Sequence, residues 1–256
     1  MFPKVAKDKE QTTVEIAECP ICRSFCQHMY FMQDAKSGKK SKWHSCACGV
    51  IFQKEKPKGE YGAAYLKEHA DAGEKYKQSS QYPVRIYLPL IEELIYGRKA
   101  LVVGTPTFHQ VDALKERGWV TYSIDKNKEL PPTDRHFQGD FEVYDFPEKV
   151  KFNLIWMYHT LECFSEPLST LKKCFNLMPE DGILFIATPD TDFVYTRASS
   201  AFVHWKEDMN NILWNRRSLI SHLEKLGFET HMARRNYEHR FPAIDDFHLI
   251  AQKKFF

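Results

Sequence analysis

The sequence predicts an α/β protein built on a mostly parallel sheet of seven strands, with a small cysteine-bearing module ahead of it. Three observations predict it. From residue 99 onward, short apolar runs alternate with segments of helical periodicity. One run, Leu101–Val103, is apolar throughout, as a strand buried on both faces is. Two closely spaced cysteine pairs, Cys19-Pro20-Ile21-Cys22 and Cys46-Ala47-Cys48-Gly49, stand before the first of these strands.

The clearest unit is the stretch from Lys99 to Asp125. Leu101–Val103 is its first strand and Gly104 ends it. Val111 and Leu114 suit an amphipathic helix that Gly118 closes. Trp119–Ile124 is the second strand, with Asp125 at its carboxyl end. Gly104 and Asp125 stand 21 residues apart. A separation of about 20 residues marks βαβ units that hold a nucleotide, where a helix N-terminus faces the ligand and a carboxylate takes ribose hydroxyls. The turn itself, Gly104-Thr105-Pro106-Thr107-Phe108-His109, keeps a single glycine. An ordinary buried βαβ unit without a ligand is the alternative.

The remaining elements follow in order. Val84, Tyr87, Leu88, Ile91, Leu94 and Ile95 have helical spacing within Pro83–Tyr96, and Pro89 either kinks that helix or marks its start. The preceding residues 50–80 read as a linker with one short helix. His136–Gln138 is a third strand ending at Gly139-Asp140, and Phe152–Met157 a fourth. Leu168–Met178 is a helix introduced by Ser165-Glu166-Pro167, with Ser165 as cap. Ile183–Ala187 is a fifth strand, stopped by Thr188-Pro189-Asp190. Arg216–Leu226 is a helix ended by Gly227, and Glu229–Ala233 and Phe247–Gln252 are the last two strands. Strands alternating with helices argue for a parallel sheet. The domain division is 1–60 for the module, 61–97 for linker and leading helix, and 98–256 for the sheet domain.

Length and composition set bounds. At 256 residues with a net charge of +2, the chain holds one full domain and an appendage and shows no overall basic character. Lysines cluster locally between Lys36 and Lys58, which reads as a solvated face, nucleic-acid contact being the less favoured reading. No apolar run reaches the roughly 18 residues of a membrane span, and residues 1–15 carry no signal-peptide core. A cytoplasmic location and reduced cysteines are expected. Two cysteines on a turn present their thiolates to one ion, and a second pair two dozen residues on completes a sulfur site suited to structural zinc. Cys19, Cys22, Cys46 and Cys48 are the candidate ligands. Cys26, His28 and His44 are possible substitutes because the second pair is C-x-C, and free buried cysteines are the alternative. The residues between the pairs offer little core, so metal is expected to hold the module together.

Taken together the motifs resemble class I S-adenosylmethionine-dependent methyltransferases, in the branch with an N-terminal zinc-ribbon-like module. CPIC … CACGVIF, with Tyr61 and Tyr65 beyond it, resembles that module and its linker. Phe152-Asn153-Leu154-Ile155 through His159-Thr160-Leu161-Glu162 resembles the family's FDLI…HxLEH run, with Asn153 for Asp and Cys163 for the second His. Pro167, Leu171 and the Pro179–Gly182 turn before ILFIATPD resemble its P…L…LKPGG run. His204-Trp205, Ser218-Leu219 and Leu226-Gly227-Phe228 resemble its C-terminal pattern. The likeness spans about residues 17–255 and implies a Rossmann-like sheet.

It also implies S-adenosyl-L-methionine as cofactor and Zn2+ as structural metal. Gly104 and Thr105 would pass the methionine part, and Asp125 would take the ribose hydroxyls. Asp140 would accept from the adenine amino group, with Phe141 beside the ring, and Met157 would line the pocket. Methyl transfer from a sulfonium needs alignment and, for a hydroxyl or carbon acid, loss of a proton. His159 is the candidate general base, and a structural histidine capping the next turn is the alternative. His204, Trp205, Trp214, Phe202 and Tyr195 could surround an acceptor or form a packed lid. Met157-Tyr158-His159-Thr160 stands where nucleic-acid amino methyltransferases carry Asn/Asp-Pro-Pro-aromatic, so O- or C-methylation of a small molecule, such as a sugar or nucleotide-linked metabolite, is favoured. A fold that binds without catalysing, and a nucleic-acid-modifying enzyme, are the alternatives. No membrane partner is expected, and the oligomeric state is open.

Overall fold

The protein is described by a computed structural model covering residues 15–33, 40–55, 73–105, 107–131, 133–192, 210–235 and 246–254. The chain opens with β1 (Ala17–Glu18), β2 (Phe25–Cys26), β3 (His28–Gln33), β4 (Lys40–Ser45) and β5 (Ile51–Phe52). Helix α1 (Gly73–Leu94) leads into β6 (Lys99–Val103), α2 (His109–Glu116), β7 (Val120–Asp125) and β8 (His136–Gln138). Then come β9 (Leu154–Tyr158), a 3-10 turn at Leu161–Cys163, α3 (Pro167–Asn176) and β10 (Ile183–Pro189). The chain closes with β11 (Ile212–Leu213), α4 (Arg216–Leu226), β12 (Phe228–Arg235) and β13 (Asp246–Lys253).

Seven strands form the main sheet in the order β12-β13-β10-β9-β6-β7-β8. The five from β10 to β8 run parallel, and β13 runs antiparallel to both its neighbours. From β6 the chain builds outward through β7 to β8, then returns to place β9 on the other side of β6. Open α/β sheets bind ligands outside the carboxyl ends at such a reversal. Because β13 is antiparallel, its first residue, Asp246, pairs with Pro189 at the carboxyl end of β10.

Period-two alternation divides the core. Leu101, Val103, Ile155, Met157, Leu184 and Ile186 pack on one face with Leu171 and Cys174 of α3 and Leu219 and Leu223 of α4. Ala100, Val102, Leu154, Trp156 and Phe185 pack on the other with Val84, Leu88 and Ile91 of α1 and Val111 and Leu114 of α2. Trp156 and Phe185 stack with centroids 3.8 Å apart. Each fully buried side chain of this size contributes about 1.5–3 kcal/mol.

Three local expectations need correction. Helix α1 begins at Gly73, ten residues before the predicted start, and runs through both Pro83 and Pro89. Its first turns are mostly polar and exposed, so they carry no apolar period for the sequence to display. Ser165 does not cap α3: the Glu142 carboxylate accepts from the backbone N–H groups of Ser165 (3.0 Å) and Glu166 (2.6 Å) instead. The N-terminal module has more core than the residues between its cysteine pairs supply, since Val50, Ile51 and Phe52 beyond them are buried along with Trp43. Part of that core comes from far along the chain. Strand β11 pairs with β5, Ile212 opposite Phe52 and Leu213 opposite Ile51, so the small sheet reads β11-β5-β4-β3. The module and the main domain therefore share a sheet. The predicted boundary at residue 60 lies outside the described residues.

Candidate functional site

One half of the site is the turn after β6. Gly104 has φ +71°, and its N–H donates to the Ile124 carbonyl at 3.0 Å. A β-carbon there would lie 2.3 Å from Thr160 Cγ2, so glycine is required by backbone and by neighbour alike. Thr105 is buried and its hydroxyl donates to the Thr107 carbonyl. Pro106 lies outside the described residues. Asp125, 4% exposed, receives the N–H groups of Asn127 (2.6 Å) and Thr105. Burial pushes its carboxyl up to about 6 against those hydrogen bonds, and Lys126 offsets burial only weakly. It is a buried carboxylate supplied with backbone donors and poor in countercharge.

The neighbouring cofactor-side candidates differ in availability. Asp140 accepts from the Glu142 N–H at 2.9 Å and pairs with Lys126 at 3.4 Å. The Phe141 ring is buried against Phe146 and Phe164, with Lys173 Nζ 5.2 Å from its centroid. Met157 is wholly buried on the α3–α4 face of the sheet.

The other half follows β9. His159 stands in the left-handed region, φ +51°, with its N–H donating to the Ala187 carbonyl at 2.8 Å. Its Nδ1 lies 3.3 Å from Glu162 Oε1, and its Nε2 lies 3.3 Å from Asp246 Oδ2. Both carboxylates are about 1% exposed. Burial opposes charge on the ring, but the hydrogen bonds to Asp246 and Glu162 outweigh it and push the imidazole up to about 10. The same contacts, with His248, hold Asp246 well below the usual carboxylate range despite its burial. The network continues: His248 Nε2 reaches Asp246 Oδ2 at 3.0 Å, Tyr87 Oη meets His248 Nδ1, and Thr188 Oγ1 donates to Glu162 Oε2 at 3.0 Å. Both ring nitrogens of His159 face buried carboxylates, an arrangement that suits the structural alternative to a general base.

Sequence reasoning missed Asp246, His248 and Thr160. Asp246 and His248 lie two apart at the start of a strand whose middle, Leu249–Ala251, is apolar, and that Asp-x-His alternation was the available signal. His204, Trp205, Phe202 and Tyr195 lie outside the described residues. Trp214 is buried in the core beside Ile212 rather than open to a ligand.

The predicted cysteines converge. The four Sγ atoms of Cys19, Cys22, Cys46 and Cys48 lie within 4.8 Å of one another. Cys19 and Cys48 are 3.7 Å apart and Cys22 and Cys46 3.3 Å. Zinc–sulfur bonds of about 2.3 Å set the edges of a tetrahedral S4 site at about 3.8 Å, so the set fits that ion. The Ile21 N–H donates to Cys19 Sγ at 3.4 Å, as a thiolate ligand would invite. Gly49, φ +94°, closes the turn after the second pair, its N–H donating to the Cys46 carbonyl at 2.9 Å. Cys26 instead donates to the Ser24 carbonyl, and His44 is buried against Phe52.

The turn at Gly49 touches the main domain near the strand ends. Thr191, just beyond β10, donates through Oγ1 to the Gly49 carbonyl at 2.9 Å. Asn211 donates its N–H to the Glu162 carbonyl (2.7 Å) and its side chain to the Cys163 carbonyl (2.6 Å). Among the described residues no helix is long and apolar enough to cross a membrane.

A methyltransferase domain family matches residues 78–232. No curated protein matches the sequence. Among solved structures, a SAM-dependent methyltransferase from Archaeoglobus fulgidus superposes with a TM-score of 0.58 at 16% identity, covering 75% of this chain and 100% of that one. One from Clostridium acetobutylicum superposes at 0.52 and 12% identity, covering 75% and 98%. At these identities the likeness is one of fold.

Proposed function

Because this chain belongs to the methyltransferase domain family and is an S-adenosylmethionine-dependent methyltransferase, we propose that its acceptor is a small molecule methylated at oxygen or carbon. Sugars and nucleotide-linked metabolites are the class it fits. The observation that carries this reading is the cysteine module's contact through Gly49 with the loop after β10. Asp190, Thr191, Asn210 and Asn211 are all buried there. In this reading the packed module lies beside the strand ends, a placement that favours a compact acceptor over a polymer lying across the edge. The Met157–Thr160 run, without Asn/Asp-Pro-Pro-aromatic, points the same way.

In this reading Asp125 takes the ribose hydroxyls, and the Gly104–Thr105 turn receives the methionine portion. Asp140 exchanges Lys126 for the adenine amino group. Phe141 supports that loop from the core, and Met157 backs the sheet beneath it. The bound cofactor supplies an electrophilic methyl group on a sulfonium, so the protein's task is alignment. Cys19, Cys22, Cys46 and Cys48 hold zinc in a structural role, which places the β5–β11 wall. Metal analysis of the purified chain checks that part, one zinc per chain being expected.

The test of the acceptor class is incubation with methyl-labelled cofactor and separate pools of nucleotide sugars, other small metabolites, RNA and DNA. Label is expected in a small-molecule pool. Label in nucleic acid would overturn the reading.

A further inference from the structure

We infer that His159 is a positioning residue for the cofactor turn, held between Glu162 and Asp246 so that it sets Thr160 against Gly104, rather than a group that accepts a proton from the acceptor. Three strand ends meet at its ring. His159 follows β9, Thr188 belongs to β10 and reaches the ring's partner Glu162, and Asp246 begins β13. The left-handed backbone at His159 is uncommon for a residue with a β-carbon. Its surroundings hold it: the backbone N–H donates to Ala187 and each ring nitrogen faces a buried carboxylate. Removing the ring would leave Glu162 and Asp246 as buried like charges with less compensation.

What this clamp controls is the next residue. Thr160 Oγ1 donates to the Val103 carbonyl at 3.0 Å, at the end of the strand that carries the glycine turn. Thr160 Cγ2 occupies the space beside Gly104. The path from His159 to the cofactor side is therefore one covalent step and one hydrogen bond long. A loop that slips at residue 159 withdraws the wedge that shapes Gly104 and Thr105.

His248 completes the arrangement. Its Nε2 lies 3.0 Å from Asp246 Oδ2, and its Nδ1 meets Tyr87 Oη on α1. The leading helix is thus tied into the clamp.

The inference rests on the methyltransferase reading only in taking S-adenosylmethionine as ligand; no acceptor is used in its test. Calorimetric titration of S-adenosylmethionine is made into wild type, His159→Gln, the double variant His159→Gln/Glu162→Gln, and Thr160→Val. A neutral glutamine at 159 is expected to weaken binding about tenfold or more although it touches no cofactor atom. Glu162→Gln on that background removes one of the uncompensated charges and is expected to regain most of the loss. Thr160→Val keeps the wedge's shape but loses its hydrogen bond, and is expected to weaken binding about fivefold with melting temperature near wild type. Should His159→Gln fail to fold, the Thr160→Val titration decides alone. Wild-type affinity in both single variants would overturn the inference and return His159 to the base role. Lack of rescue in a folded double variant would overturn the charge argument. A wild-type chain that binds the cofactor but methylates no small molecule would count against the proposed acceptor and leave this result standing.

Discussion

Two buried aspartates stand at the carboxyl edge of the sheet, and burial has opposite consequences for them. Asp125 has backbone donors and a weak opposing charge from Lys126, and burial pushes its carboxyl up to about 6. Asp246 is as deeply buried, but two imidazoles meet one of its oxygens and hold it well down. The first is a carboxylate whose needs the protein leaves partly unmet, which is the condition for a ligand to meet them. The second is answered from within and serves the fold. Perturbation alone does not distinguish a ligand site from a structural clamp. Its direction and its cause do.

The same substitution at both positions is the sharpest way to break this comparison. Asp246→Asn removes a charge that His159 and His248 depend on, and is expected to destabilise the fold by about 3 kcal/mol, as loss of one partner from a buried ion pair does. Asp125→Asn keeps an acceptor for Asn127 and Thr105 while removing a charge that burial penalises. A rise from 3.8 to about 6 corresponds to at most about 3 kcal/mol at neutral pH, so this variant is expected to gain stability up to that limit. Urea unfolding of both proteins at pH 7 reads the two signs. Destabilisation at both positions would show that Asp125 is structural too.

Next in size is the functional side of the trade. Asp125→Ala is expected to weaken S-adenosylmethionine binding about 100-fold, because two buried charge-assisted hydrogen bonds to ribose would be lost. Calorimetric titration checks it. Affinity within a factor of three of wild type would remove Asp125 from the cofactor site.

Gly104→Ala tests the surface between the two regions. The new β-carbon must enter the space of Thr160 and adopt φ +71°. A cost of about 2 kcal/mol in stability is expected. Cofactor affinity should fall as well, since the turn must move away from the wedge. A variant with wild-type melting temperature would mean that the turn gives way freely.

How much of this was legible in the sequence follows from the range of the interactions. The βαβ unit from Lys99 to Asp125 is local: strand, helix and closing glycine signal themselves within 27 residues, and the structure places them within a residue or two. The four cysteines were legible because thiolate chemistry fixes their spacing. Strand β11 was not, since two residues carry no period and its partner β5 lies 160 positions away in the chain. Helix α1 was found only where it is buried. His159 was singled out in the sequence, but the network around it was not legible. Glu162 lies three positions on and could be guessed as a partner, whereas Asp246 arrives from 87 positions away through the antiparallel turn of the last strand. A lone histidine after a strand reads as a base until the second carboxylate is seen.

The smallest expected effect is also the one that separates the two aspartates without mutation. Asp125 accepts ribose hydroxyls best when ionised. Cofactor binding should therefore favour the charged form and lower its pKa, so affinity is full above pH 7 and lost as pH falls through about 6. Well below that point the loss is about tenfold per pH unit until the pKa of the bound form is reached. Asp246 stays ionised across this range, and His159 keeps its proton up to about 10. Neither supplies a slope between pH 5 and 7. His109 and His136 flank the cofactor half, and burial lowers both of them. The control is therefore Asp125→Asn, whose weaker binding should be flat from pH 5 to 7 if the slope belongs to this carboxylate. A slope that survives the substitution would assign it to the histidines, and Asp125 would join Asp246 as part of the scaffold.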